Sequence, residues 1–418
     1  MGKSAIISSM KQGGFFKRTI RDVPLDGKTV LVRADYNVPL EGGTIKDDYR
    51  IRSSVPTLQA LLERGCKVVI ISHLGRPEGQ RVPELSLEPI SERLGALLGA
   101  QVNFVDDCIG DAVGMAVKNA PKKAVLLLEN VRFYPGDETN DAVFAEQLAK
   151  SSGASYFVQD GFGVAHRAQA STSAITQFLP SVAGLLLEKE YLAITSAMEQ
   201  PKRPLVAVMG GAKISDKIQL VERFVEIADK VIIGGAMANN FLRFKGNPVG
   251  KSRVEDGVDD IIQRVYAAVT DKVGEGQVDS FLYIPRDVAV APEIAADARR
   301  ANKSPKDITE DDIILDIGST TMDGIDAELE GAGTVVWNGT LGYSELPEFA
   351  HGSARLALHL ASHPEITSII GGGDTADFVL HWDAAEGKSF SLVSTGGGAS
   401  LELMAGKKLP GVEALMDA

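Results

Sequence analysis

The chain has 418 residues, 44% hydrophobic and 24% charged, the proportions of a globular protein long enough for two domains. A formal net charge of −13 argues against nucleic acid and anionic membranes as partners, and no apolar run approaches the ~18 residues that span a bilayer. Two cysteines, Cys66 and Cys108, form neither a disulfide framework nor a metal-ligand spacing. Ala5–Met10 is too short for a signal-peptide core, and Ile6 stands where a myristoylation motif needs Ser or Thr, so the expected location is the cytoplasm.

In chain order, apolar β-branched runs alternate with amphipathic stretches. The first half offers strands at Thr29–Tyr36, Lys67–His73, Gln101–Val105, Ala124–Glu129 and Tyr156–Asp160. Between them lie helical patterns at Arg50–Arg64, Leu87–Leu98 and Ala142–Ser151. The second half repeats the theme, with strands at Leu205–Met209, Val231–Ile233, Ile313–Ile317, Thr334–Trp337, Thr367–Ile370 and Phe390–Ser394. Its helices are Asp216–Ala228, Gly257–Val273, Ser353–Ser362 and Leu401–Ala405. Continuous apolar strands separated by helices predict parallel sheets covered on both faces, an α/β class.

Leu185–Met198 reads as a connecting helix, followed by Pro201 and Pro204. The expected division is 1–184, a connecting helix at 185–200, 201–404, and a tail at 405–418 that can return to the first domain. Charge supports two domains. Residues 1–180 hold 21 basic and 20 acidic residues, and the remainder holds 22 and 36.

Three glycine turns stand between a strand and a helix in the second half: Gly210-Gly211, Gly371-Gly372-Gly373 and Gly396-Gly397-Gly398. Glycine allows close backbone approach, and a helix N-terminus presents free N–H groups, so these turns suit phosphates. Lys213 and Lys217, four apart, are expected on one helical face near that N-terminus. Asp374 either caps a helix or holds a Mg²⁺ carried by nucleotide phosphates. GNPVGKS (246–252) is one residue short of a P-loop, and Gly161-Phe162-Gly163 meets His166 where GxGxxG needs glycine.

In the first half, Arg50, His73, Arg76, Arg132, His166 and Arg167 fall at strand ends and turns. Converging at one sheet edge, they suit a small ligand with several negative charges. Asp35 and Asn37 follow the first strand and can bind a ligand hydroxyl or build a turn. The histidines read as anion donors rather than general bases.

These motifs carry a resemblance. VLVRADYNVPL (30–40), SHLGRP (72–77), LLENVRFYPGDE (127–138), DGFGVAHRAQAS (160–171), GGAKISDKI (210–218), WNGTLG (337–342), GGGDT (371–375) and STGGGASLELMAGKKLPGV (394–412) resemble phosphoglycerate kinases, in order and over nearly the whole chain. The resemblance implies two Rossmann-like domains joined by a hinge helix. It implies a monomer that transfers the acyl phosphate of 1,3-bisphosphoglycerate to ADP, with Mg²⁺, giving 3-phosphoglycerate and ATP. Asp35, Asn37, Arg50, His73, Arg76, Arg132, His166 and Arg167 would bind the phosphoglycerate. Gly211, Lys213, Lys217, Asn338, Glu345 at the ribose, Gly372, Gly373, Asp374 at the metal, and Thr375 would bind the nucleotide. Arg50, Lys213, Lys217, Gly396 and Gly397 would act on the migrating phosphoryl group. The chain departs from the family pattern at Val164, Gln169, Asn239-Asn240, Ser319, Thr340 and Ser344. A non-catalytic nucleotide-binding relative is the alternative. A dehydrogenase is disfavoured by the missing GxGxxG.

Overall fold

The computed structural model describes residues 14–418; the signal-peptide and myristoylation readings of Met1–Met10 lie outside them. The chain divides into two compact units, Gly14–Leu192 with Lys407–Ala418, and Ala193–Gly406.

The first unit is built on six parallel strands: Thr29–Arg33 (β1), Lys67–Ile71 (β2), Val102–Val105 (β3), Val125–Leu128 (β4), Tyr156–Gln159 (β5) and Ser181–Ala183 (β6). Their order in the sheet is β3-β4-β2-β1-β5-β6. Alternate residues serve opposite cores, which is why the strands read as unbroken apolar runs. Val30, Val32, Val68 and Ile70 pack with Ile51 and Leu58 of Tyr49–Glu63 (α1) and Ile90 of Glu88–Leu98 (α2). Leu31, Val69 and Ile71 pack with Val113 of Asp111–Asn119 (α3) and Leu148 of Ala142–Ser152 (α4). Arg50 therefore stands in the first turn of α1, not at a strand end.

Leu185–Glu199 (α5) carries the chain onward, and the division between units falls inside it. Its start is anchored by a buried carboxylate. Asp160 accepts hydrogen bonds from Thr57 Oγ1 at 2.9 Å and from the Leu186 N–H at 3.0 Å. A Cβ on Gly184 would lie 2.0 Å from Asp160 Oδ1, so only glycine fits there. Burial pushes the Asp160 carboxyl up to about 7. Between its unfolded range near 3.8 and about 7, the folded chain binds more protons than the unfolded one. The buried charge therefore costs stability as pH rises through that window. Asp160→Asn keeps an acceptor and removes the charge. Its Tm should exceed wild type by several degrees at pH 8, with the gap shrinking toward pH 5; thermal melts at both pH values check this.

The tail closes on the first unit. Met416 N–H donates to Ser181 O at 3.0 Å and Gly411 N–H to Ala165 O at 2.8 Å. Lys17 Nζ donates to the Glu413 and Leu415 carbonyls, both at 2.9 Å. The tail thus braces the loop that carries His166 and Arg167.

The second unit repeats the architecture with Leu205–Met209 (β7), Lys230–Ile233 (β8), Leu282–Tyr283 (β9), Thr334–Asn338, Thr367–Gly371 and Leu392–Val393. Between β9 and these last three come Val288–Ala291 (β10), Ala301–Lys303 (β11) and Ile313–Ile317 (β12), so the last three are β13, β14 and β15. The parallel sheet runs β9-β8-β7-β13-β14-β15. One expectation fails: Ile313–Ile317 is absent from it. That strand pairs antiparallel with β10 in a separate sheet of order β11-β10-β12. Its apolar run is explained by the small core of Val288, Val290 and Leu242 beneath it. The run at 390–394 also shrinks to two strand residues.

In each parallel sheet the chain winds one way from a central strand and then the other. The reversal falls between β1 and β5 in the first unit and between β7 and β13 in the second. A crevice opens outside the carboxyl ends of the strands at such a point.

Candidate active-site regions

In the first unit, loops from the carboxyl ends of β1, β2, β4 and β5 converge with the start of α1. Their centre is His73, fully buried after β2. Arg33, the last residue of β1, is also fully buried, and its Nη2 lies 3.4 Å from His73 Nδ1. A guanidinium can only donate, so Nδ1 accepts and His73 carries its proton on Nε2. Burial, then Arg33, Arg132, Arg50 and Arg167, hold the imidazole far below its usual range. His73 is thus neutral at pH 7 and offers one N–H donor, while the positive charge of the region belongs to arginines.

Those arginines are held by carbonyls and few carboxylates. Arg50 Nη1 donates to Asn37 O at 3.0 Å and to Asp35 Oδ1 at 3.3 Å. Arg132 Nη1 donates to Gly75 O at 2.7 Å, and burial lowers its guanidinium from the usual range. Arg167 Nε donates to His166 Nε2 at 3.2 Å. Asn37 Oδ1 accepts from Gly75 N–H at 2.8 Å, which ties the β1 loop to SHLGRP. Arg76 is exposed on that same turn. Arg33 escapes the sequence reading because a charge ending the run VLVR looks like an ordinary strand terminus. It props the region from beneath, with Nε also donating to Ser171 Oγ at 2.9 Å.

In the second unit, the reversal point is lined by Gly211, Lys213, Lys217, Asn338, Gly372, Gly373, Asp374 and Thr375, in a cleft of about 280 Å³. A neighbouring cavity of about 380 Å³ takes in Ala236 from the helix Gly235–Phe244 and Leu315 from β12, with Glu345 at its wall. Backbone crosses backbone at this point. Gly339 has φ +101°, and a Cβ on it would lie 2.2 Å from the Gly210 carbonyl.

Lys217 Nζ donates to Gly210 O at 2.9 Å, and burial lowers its ammonium to about 8. The four-residue spacing predicts one helical face for Lys213 and Lys217, but the structure does not place them on one. Glu255 accepts the N–H groups of Ile214 and Ser215, holding Lys213 in an exposed loop, and the α-helix starts only at Ile218–Ile227 (α6). Asp374 stands in the first turn of Gly373–Trp382, after Gly372 as N-cap, and makes no capping bond. Its exposed carboxylate has no ion pair among the described residues, which fits a cation ligand. Thr375 Oγ1 accepts from Gly339 N–H at 2.7 Å. Asn338 is fully buried with both amide atoms unpartnered.

Gly396 and Gly397 are not among the cleft residues, although Leu401 of their helix is. The Gly396 N–H already donates to Ser394 Oγ at 3.0 Å, so in this conformation it is not a free donor.

The family model for phosphoglycerate kinase matches residues 20–407. The chain belongs to the phosphoglycerate kinase family. It is 43% identical to the phosphoglycerate kinase of Dictyoglomus turgidum, over 96% of this chain and 99% of that one. It is 46% identical to that of Acaryochloris marina, over 96% and 100%. The phosphoglycerate kinase structure from Coxiella burnetii superposes with a TM-score of 0.82 at 36% identity, covering 95% of this chain and 98% of that one. That from Pyrococcus horikoshii OT3 gives 0.79 at 30%, with the same coverage. The activity is accordingly that of a phosphoglycerate kinase, a phosphotransferase with a nucleotide and a phosphoglycerate as substrates. Two parallel sheets flanked by helices match the two-domain fold of the family. No described helix is long and apolar enough to cross a membrane.

Proposed function

We propose that the unit of Gly14–Leu192 holds the phosphoglycerate and the unit of Ala193–Gly406 holds ADP or ATP, in a monomeric cytoplasmic enzyme. The observation that carries this reading is the cluster of four arginines around a neutral, buried histidine. It suits carboxylate and phosphate oxygens. The cavity and cleft of the second unit suit a nucleoside and its phosphates.

Phosphoryl transfer leaves a protein little covalent work; positioning and charge neutralisation dominate. Arg132 and Arg167 hold the phosphoglycerate phosphate, and His73 Nε2–H and Asp35 orient the rest. Arg50 neutralises the equatorial oxygens of the migrating group, and Lys213 does the same from the nucleotide side. Lys217 holds the nucleotide phosphates, Glu345 the ribose, and Gly211, Gly372 and Gly373 allow close approach. Asp374 would hold Mg²⁺ together with those phosphates, and the ion would supply charge neutralisation at the nucleotide oxygens. No general base is needed, because the acceptor oxygen is already anionic.

Arg132→Ala tests the assignment of ligands to units. It should raise the KM for 3-phosphoglycerate at least tenfold and leave the nucleotide KM within twofold; steady-state kinetics with each substrate varied check this. An effect confined to the nucleotide would contradict it.

Water must be kept from an acyl phosphate, so we expect the loaded units to close. Small-angle scattering should show a smaller radius of gyration only with both substrates present. An unchanged radius would exclude closure.

A further inference from the structure

We propose that Arg253 is a nucleotide-binding residue, whose guanidinium neutralises the phosphate attached to the ribose. This rests on the assignment of the nucleotide to the second unit. Arg253 lines both the larger cavity and the phosphate cleft, a property it shares only with Gly211, Ala212 and Asp374. If the base fills the cavity and the terminal phosphates fill the cleft, the junction is where the first phosphate must pass.

Charge gives the second argument. The cleft is lined by Lys213 and Lys217 against Asp216 and Asp374. Those four cancel, so Arg253 alone makes the lining net positive. Its side chain is exposed and makes no ion pair among the described residues, so the guanidinium is available to a ligand.

The third argument is how the segment is held. Asn239 and Asn240, on the helix Gly235–Phe244, are both fully buried. Asn239 Nδ2 donates to the Arg253 carbonyl at 2.9 Å, and Asn240 Oδ1 accepts from Glu255 N–H at 2.9 Å. Glu255 in turn accepts from Ile214 and Ser215, beside Lys213. Two buried amides thus fix the backbone of Arg253 relative to the phosphate loop. Each buried amide spends one polar atom on this segment and so holds its backbone in place.

Calorimetric titration of the full chain with adenosine, AMP and Mg-ADP tests the proposal. Arg253→Leu should weaken AMP and Mg-ADP alike, about tenfold, and leave adenosine within twofold. Arg253→Lys should recover part of the loss, and the KM for 3-phosphoglycerate should not move. Unchanged AMP and Mg-ADP affinities, or an equal loss for adenosine, would overturn the role of Arg253 alone. If Lys217→Met also left Mg-ADP binding intact, the nucleotide assignment would fall and this inference with it.

Discussion

Arg50→Ala should lower kcat by more than tenfold while the substrate KM values change less, the signature of an interaction made chiefly in the transition state. The structure explains why the loss is not compensated. Arg50 leaves α1 in its first turn and is positioned by the Asn37 carbonyl and Asp35. Among the described residues no other Arg or Lys side chain hydrogen-bonds to that pair, and its removal leaves Asp35 with less to balance it. Arg50→Lys should recover little, because an ammonium cannot present a planar fork to two oxygens at once. Lys213→Ala is expected to behave like Arg50→Ala. If Arg50→Ala raises only KM, then Arg50 binds the ground state and its assigned role is wrong. Stopped-flow or steady-state kinetics with both substrates saturating give the answer.

Lys217 offers the second large effect, with a pH signature. Burial lowers its ammonium to about 8 in the free protein, so the charge needed by the phosphates is largely present at pH 7 and mostly absent at pH 9. Bound phosphates favour the charged form, so above about pH 8 binding must take up a proton. The Kd for Mg-ADP should therefore rise about tenfold between pH 7 and pH 9. Lys217→Met should abolish this slope and lower kcat/KM for the nucleotide by on the order of a hundredfold. Calorimetry at both pH values checks it. A slope that survives in Lys217→Met would place the titrating group elsewhere.

Much of the fold was legible because the central strands are buried on both faces. Runs such as KVVII and VLLL have no reason to be so apolar unless helices cover both sides of the sheet. The antiparallel sheet was not legible. Val288–Ala291 is short, Ala301–Lys303 is polar and largely exposed, and Ile313–Ile317 has the same apolar character as a parallel strand. The helix Gly235–Phe244 was hidden by Asn239 and Asn240, polar residues on its buried side.

The site divides in the same way. Arginines and glycines at strand ends could be read because each end of a strand can hold a loop of the crevice. What spacing alone could not reveal was the state of each group. The four-residue spacing of Lys213 and Lys217 suggests a shared helical face, but Glu255, forty residues beyond Ser215, captures the N–H groups that would have begun the helix. The neutrality of His73 likewise depends on Arg33, Arg132, Arg50 and Arg167, which only the fold assembles.

The central claim is that each unit carries one substrate. A crystal structure with 3-phosphoglycerate and Mg-ADP bound tests it most directly. The account predicts the phosphoglycerate against Arg50, Arg132 and Arg167 beside His73, and the ADP phosphates against Lys217 with the metal on Asp374. Phosphoglycerate among the glycine turns of the second unit, or ADP over the arginine cluster of the first, would contradict it.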